Sequence, residues 1–197
     1  VLFQEGLSNQ GIPLLSLVVG ATMSLGPIGE HGTEEQKQKY LPAGCRGDIR
    51  FCFAITEPTA GTNTMKTNTM IRETGEGRYK LNGAKTFITD AGGSDYMLVV
   101  SRNKAFDEVD RKTDGFTLLI VDRNAPGVSV QPIDVSIPIP EWQYQVFFDD
   151  VDIGPEDVLG EVGKGFDILF ESLNPERIIL AAVANGLGRY AMDRAVE

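Results

Sequence analysis

The sequence predicts an α+β fold: a helical N-terminal segment, an antiparallel β-sandwich or barrel in the middle, and a helical C-terminal end. Three observations carry this. Residues 1–48 hold an aliphatic run, Leu14, Leu15, Leu17, Val18 and Val19, that reads as buried helix. From Ile49 to about Asp152 the texture changes to short β-branched and aromatic runs punctuated by Gly, Pro, Asn and Asp, the pattern of an antiparallel β unit. After Gly165 the apolar positions Phe166, Leu169, Phe170 and Leu173, then Ile179, Val183, Gly186 and Tyr190, return to a helical period.

In chain order, Val1-Leu-Phe-Gln4 continues into Glu5-Gly6-Leu7 as native helix, and Thr33 starts a further helix with Glu and Gln in its capping positions. Strands are expected at Ile49 to Ile55, Thr67 to Ile71, Tyr96 to Val100, Phe116 to Val121 and Val146 to Phe148. Asn82-Gly83 is the dipeptide best suited to a two-residue hairpin turn, and the arm after it would bring Phe87, Ile88 and Thr89 to one place. Gly160, Gly163 and Gly165 precede a helix without the spacing or the βαβ context of a dinucleotide fold, so they read as the loop that starts the helix. Pro175 either kinks one long helix or opens a second with Asn174 as its cap. The helical pattern runs to Glu197 with no stop signal, as in a piece of a longer chain.

Composition narrows the function classes. A hydrophobic fraction of 42% and a charged fraction of 23% suit a soluble globular protein. The longest apolar run, Ile178 to Ala184, is far short of the ~20 residues of a membrane span, and no signal peptide is visible. A cytoplasmic location is expected, or a mitochondrial matrix one in a eukaryote. The formal charge of −10 argues against a nucleic-acid surface. Cys45 and Cys52, the two cysteines, have neither metal-ligand nor redox spacing, and His31 is the sole histidine, so no metal site is expected. His31 reads as part of the turn before Thr33.

Two motifs carry chemistry. Phe51-Cys-Phe-Ala-Ile-Thr-Glu-Pro-Thr-Ala-Gly-Thr-Asn63 is an apolar strand broken at Pro58 into a loop of small and hydroxyl residues, where backbone amides can approach a planar ligand. Leu81-Asn-Gly-Ala-Lys-Thr-Phe-Ile-Thr89 adds an aromatic surface, an apolar neighbour and a hydroxyl. Phe53, Ile55, Thr56, Glu57, Pro58, Ala60, Gly61, Asn82, Gly83, Lys85, Ile88 and Thr89 fall in order and at the spacing of a known pattern. Together they resemble the flavin-binding signature of the acyl-CoA dehydrogenase family. Thr62, Asn63 and Phe87 stand where the family usually has Ser, Asp and Trp. Gly32 to Lys37 with Tyr40-Leu-Pro42, and Val146 to Val151 through Gly160 to Phe166, extend the resemblance over nearly the whole chain.

The resemblance implies a division into 1–48 as the end of an N-terminal helical domain, 49–160 as a flavin-binding β domain, and 161–197 as the first helix of a four-helix C-terminal domain. It implies FAD as cofactor, contacted by Phe53, Ile55, Thr56, Gly61, Thr62, Phe87, Ile88 and Thr89. Thr56 would face the pyrimidine oxygen of the flavin and Thr89 its N5. It also implies an acyl-CoA substrate touched by Thr62, Asn174 and Arg177, an electron-transfer flavoprotein as acceptor, and a homodimer or homotetramer. The reaction removes an α-proton and transfers a β-hydride to flavin. In some branches the base directly precedes an Arg on the first C-terminal helix, which is the place of Glu176 in Asn174-Pro-Glu-Arg177; in many others it lies on a later helix. Taken alone, Glu176 is an ordinary first-turn glutamate. An acyl-CoA oxidase or flavin hydroxylase on the same scaffold, and a non-catalytic binding or scaffold fragment, stay open as alternatives. The Ile137 to Tyr144 segment, with Trp142, departs from the glycine- and serine-rich stretch of many relatives.

Overall fold

A computed structural model describes residues 2–12, 15–136 and 141–196. Leu14 of the aliphatic run, and Ile137 to Pro140 before Trp142, lie outside the described residues.

The N-terminal part is helical, as expected, but in several pieces. α1 spans Leu2–Ser8, α2 spans Leu15–Leu17 and widens into a π-helical stretch over Val18–Leu25, α3 spans Gly26–His31, and α4 spans Glu34–Arg46. α4 begins where Thr33 Oγ1 accepts the Gln36 N–H at 3.2 Å and Gln36 Oε1 accepts the Thr33 N–H at 3.0 Å. This reciprocal box satisfies donors that the first turn leaves orphaned, and Glu34 and Glu35 suit the positive end of the helix. Gly47, at φ 79°, ends α4 in the left-handed conformation that glycine adopts without strain. The remaining amide of Gln36 donates to the carbonyls of Glu156 and Val158, both at 2.9 Å, fastening α4 to the far side of the β domain.

Eight strands follow: β1 Phe51–Ala54, β2 Met70–Gly75, β3 Arg78–Thr89, β4 Tyr96–Arg102, β5 Phe116–Asp122, β6 Val128–Ile133, β7 Gln143–Ile153 and β8 Val158–Leu159. They form one sheet in the order β6-β7-β3-β2-β4-β5-β8, with β1 also paired to β4. All five expected strands are present. β6 and the two-residue β8 were not among the expected strands; β6 holds Pro132, which the sheet edge tolerates.

Two expectations are corrected. The sheet is mixed rather than purely antiparallel: β1 runs parallel to β4, from Phe51 opposite Tyr96 to Ala54 opposite Val99. Parallel neighbours need a long crossover, and residues 55–95, which include the β2–β3 hairpin, supply it. Nor is Asn82-Gly83 a hairpin turn. The turn between β2 and β3 is at Gly75, Glu76 and Gly77, all with positive φ, and Asn82-Gly83 is a bulge inside β3. Asn82 exchanges hydrogen bonds of 2.8 and 3.0 Å with Asp150 on β7. Gly83 sits at φ 147°, and a Cβ there would come within 2.7 Å of the Thr69 Cα. Close crossing by another backbone segment, not chain reversal, is what demands glycine.

Strand alternation divides the core in two. On β4, Met97 and Val99 face an inner cluster with Leu81, Ile88, Leu119, Val146, Phe148 and Val151, where the sheet folds back on itself. Leu98 and Val100 face outward to Phe51, Phe53, Phe116, Leu118 and Ile120, a layer covered by Ile28, Tyr40, Ile168 and Leu169 from the helices. Each such side chain contributes about 1.5–3 kcal/mol on burial, so both faces of β4 anchor the molecule.

α5 spans Gly165–Val196 as a single helix through Pro175, which decides between one helix and two. α1 lies across it where Gly186 leaves room for the Glu5 carbonyl and Ser8. Ser8 Oγ donates to the Val183 carbonyl at 2.8 Å and Arg189 pairs with Glu5 at 3.0 Å. His31 at the end of α3 lies 2.9 Å from Glu171 on α5, an ion-pair contact when the ring is protonated, although the ring nitrogen is not aimed at the carboxylate as in a hydrogen bond. With the exposed Glu30 these form the one cluster of potential metal ligands among the described residues. No described helix is long and apolar enough to cross a membrane.

Candidate functional site

β1 runs out at Ala54, and the chain turns at once through Glu57 to Ala60, closed by paired backbone hydrogen bonds of 3.0 and 3.1 Å between those two residues. Beyond the turn, Gly61, Thr62 and Asn63 are exposed, and a Cβ added to Gly61 would meet nothing within 4 Å. The loop therefore presents open backbone and hydroxyls.

A second segment lies beside it. The pairing of β3 with β7 slips between Lys85 and Ile88, and Phe87 sits at φ 54° within that irregularity. Left-handed backbone at an aromatic residue is strained, costing on the order of 1–3 kcal/mol. Its consequence is that Phe87 is 58% exposed while its neighbour Ile88 is buried in the inner core. The Thr86 N–H donates to the Thr56 carbonyl at 2.9 Å, stitching the two segments together.

Thr56 and Thr89 are both half-buried. The Thr89 hydroxyl faces Gln143 across the ladder, with the amide nitrogen 3.1 Å away and the amide oxygen 3.3 Å away. Next to Gln143, Trp142 is 62% exposed, and its carbonyl accepts the Asp90 N–H at 2.9 Å. Phe53 is different: it is buried in the outer core, with Ile55 packed against the same layer.

Behind the two segments is a buried ion pair. Lys85 Nζ lies 2.8 Å from Glu57 Oε1, with side-chain exposures of 0% and 3%. Burial pushes the Lys85 ammonium down to about 8, and the Glu57 charge opposes that shift. Burial acts to raise the Glu57 carboxyl, but Lys85 and the hydrogen bonds from Thr69 and Asn68 outweigh it and hold the carboxyl below its usual range. Each partner's charge thus favours the charged form of the other.

The third group is on α5. Glu176 is half-buried, and burial raises its carboxyl while Arg177 pulls it back. Arg177 donates to Asn174 Oδ1 at 2.9 Å and lies 5.6 Å from the Phe170 ring centre, so its guanidinium is folded along the helix. The structure thus gathers Thr56, Thr86, Phe87, Thr89 and Gln143 on the sheet, and Asn174 and Arg177 on one turn of α5.

Comparison with known proteins places this arrangement. The family model described as the acyl-CoA dehydrogenase middle domain matches residues 52–151, and the one described as the N-terminal domain of the same family matches residues 1–48. The chain belongs to the acyl-CoA dehydrogenase family. It is 37% identical over 198 residues to acyl-CoA dehydrogenase FadE12 of Mycobacterium tuberculosis, covering 100% of this chain and 50% of that protein. The structure of butyryl-CoA dehydrogenase from Megasphaera elsdenii superposes with a TM-score of 0.90 at 31% identity, over 98% of this chain and 50% of that one. A prolyl acyl carrier protein oxidase, AnaB, superposes with a TM-score of 0.85 at 25% identity, over 98% of this chain and 48% of that one. The chain spans about half the length of these relatives.

Sequence reasoning assigned no role to Glu57, Lys85 or Gln143. Glu57 and Lys85 both lay in the matched acyl-CoA dehydrogenase pattern, and that shared membership was the available signal. Gln143 had none, since its partner is set by the β3–β7 register.

Proposed function

We propose that this chain is the flavin-holding part of an FAD-dependent acyl-CoA dehydrogenase that converts an acyl-CoA to its 2,3-enoyl-CoA. The observation that supports the reading is the backbone stitch from Thr86 to Thr56, which joins the segment leading into the open glycine loop to the strand that carries the exposed Phe87 and, beyond it, Thr89. The donor set fits a flavin: hydroxyls for its polar edge, Phe87 for its face, and space at Gly61 where a ligand can approach the backbone.

When bound, FAD supplies the acceptor for the β-hydride. The residues of the chain do the rest. Thr56 and Thr89 would hydrogen-bond the ring, with Thr89 held by Gln143, and Phe53, Phe87, Ile55 and Ile88 would support it. Gly61 and Thr62 would lie toward ring and substrate, and Asn174 and Arg177, which now bond each other, would hold the CoA end. Glu176 takes the α-proton from the thioester; its partial burial favours that neutral, protonated product. The working division is 1–48, 49–160 and 161–197, with an electron-transfer flavoprotein as acceptor and a homodimer or homotetramer as assembly.

Purified with its flavin, the protein carrying this chain is expected to bleach its visible absorbance anaerobically when acyl-CoA is added. A protein that cannot be loaded with FAD would end the proposal. The likeness to the AnaB oxidase supports a second reading, an acyl-CoA oxidase. Stoichiometric hydrogen peroxide release in air selects it, and its absence selects the dehydrogenase.

A further inference from the structure

We propose that Glu57 and Lys85 form a positioning clamp that holds the two flavin-facing segments in register, and that ligand retention rather than folding stability is what the pair supplies. The inference rests on the flavin reading above.

The geometry gives each charge several jobs. Lys85 Nζ donates to Glu57 Oε1 at 2.8 Å and to the Ile55 carbonyl at 3.1 Å. Glu57 also accepts the Asn68 N–H at 2.7 Å and the Thr69 N–H at 2.9 Å. The pair therefore ties the end of β1, the turn after it, the approach to β2 and the irregular part of β3. Two successive residues of β3 grip two successive carbonyls: the Lys85 side chain takes Ile55, and the Thr86 backbone takes Thr56. Thr56 is thereby fixed relative to Phe87 and Thr89.

Stability alone does not account for the pair. Removing two charges from water is costly, and apolar residues of the same volume are commonly as stable in such a place or more so. What an apolar pair lacks is direction. An ammonium and a carboxylate, each with fixed partners, pin backbone atoms that packing would leave free to slide. Such pinning is needed here, because Phe87 holds left-handed backbone only where its surroundings enforce it.

The test separates the clamp from the site. In the protein carrying this chain, Lys85→Met alone and Lys85→Met with Glu57→Gln are compared with the unaltered protein. Thermal unfolding without flavin and the FAD dissociation constant are read by calorimetry and fluorescence quenching. The clamp predicts that the double variant unfolds cooperatively within a few degrees of the unaltered protein, that Lys85→Met alone, which strands the buried Glu57 carboxylate, is the less stable of the two, and that both bind FAD about tenfold or more weakly. Unchanged FAD affinity in the double variant overturns it, as does a loss of affinity there that is fully matched by loss of fold. Should the variants not fold, amide exchange in the unaltered protein decides. FAD loading should slow exchange at Asn68 and Thr69 by about threefold or more; unchanged rates there refute the clamp. If the unaltered protein binds no FAD, the flavin reading fails and takes the clamp with it.

Discussion

Glu176 makes the sharpest prediction at the scale of one residue. Burial raises its carboxyl, and a base acts only when ionised. Flavin reduction should therefore rise with pH through a limb centred above the ordinary glutamate value of 4.5 and then level off. Glu176→Gln should keep flavin and acyl-CoA binding yet slow reduction by ~100- to 10,000-fold and abolish the limb. If Glu176 is only a helix residue, the change costs less than about 1 kcal/mol and bleaching stays within a few-fold of normal. Rapid mixing over a pH series reads both. Thr56 and Thr89 are expected at the site because they match the pattern in identity and spacing, and Phe87 because it stands, as a departure from Trp, between matched residues; the structure leaves the threonines half-buried and the Phe87 ring exposed. The Glu57–Lys85 contact was not: among 28 acidic and 18 basic residues, nothing local says which two leave water together. Only the fold, by running β3 past the end of β1, decides that.

The elements differ in how local their causes are. α4 was legible because Thr33 and Gln36 cap it within one turn. β1 was legible as a strand but not in direction, since its parallel partner β4 lies far along the chain, with Phe51 opposite Tyr96. Asn82-Gly83 shows local preference overridden: its turn chemistry is real, but Asp150 and Thr69 use it for a bulge and a close crossing. Gly83→Ala tests this. In a primed two-residue turn alanine would already cost about 1 kcal/mol for its positive φ, whereas here a Cβ also meets the Thr69 backbone, so the loss should be about 2–3 kcal/mol or more. Chemical denaturation should show that loss, with weakened protection of the amides paired between β3 and β7. A loss below about 0.5 kcal/mol would contradict the crossing.

For the molecule as a whole, α5 leaves Ile178, Leu187, Met192 and Val196 exposed at 59%, 48%, 71% and 86%. A helix with that much apolar surface seeks cover. The 197-residue chain by itself is therefore expected to scatter light as a dimer or larger species at micromolar concentration, and a monodisperse monomer would show that the face is tolerated in water. The sequence signalled this helix, and the resemblance, which makes it one helix of four, implied an apolar side without cover in this chain; periodicity alone marks an apolar stripe without naming what lies against it.

The docking of α1 on α5 carries a consequence for when the fold can close. Ser8 reaches Val183 across 175 positions of sequence, and Glu5 reaches Arg189 across 184. During synthesis the first helix must wait, its partner unmade, until nearly every other described residue has left the ribosome. The loop it then closes is among the longest the chain can form, and long closures are slow. α1 can therefore dock only once α5 has been made, however much of the β domain has already closed between them.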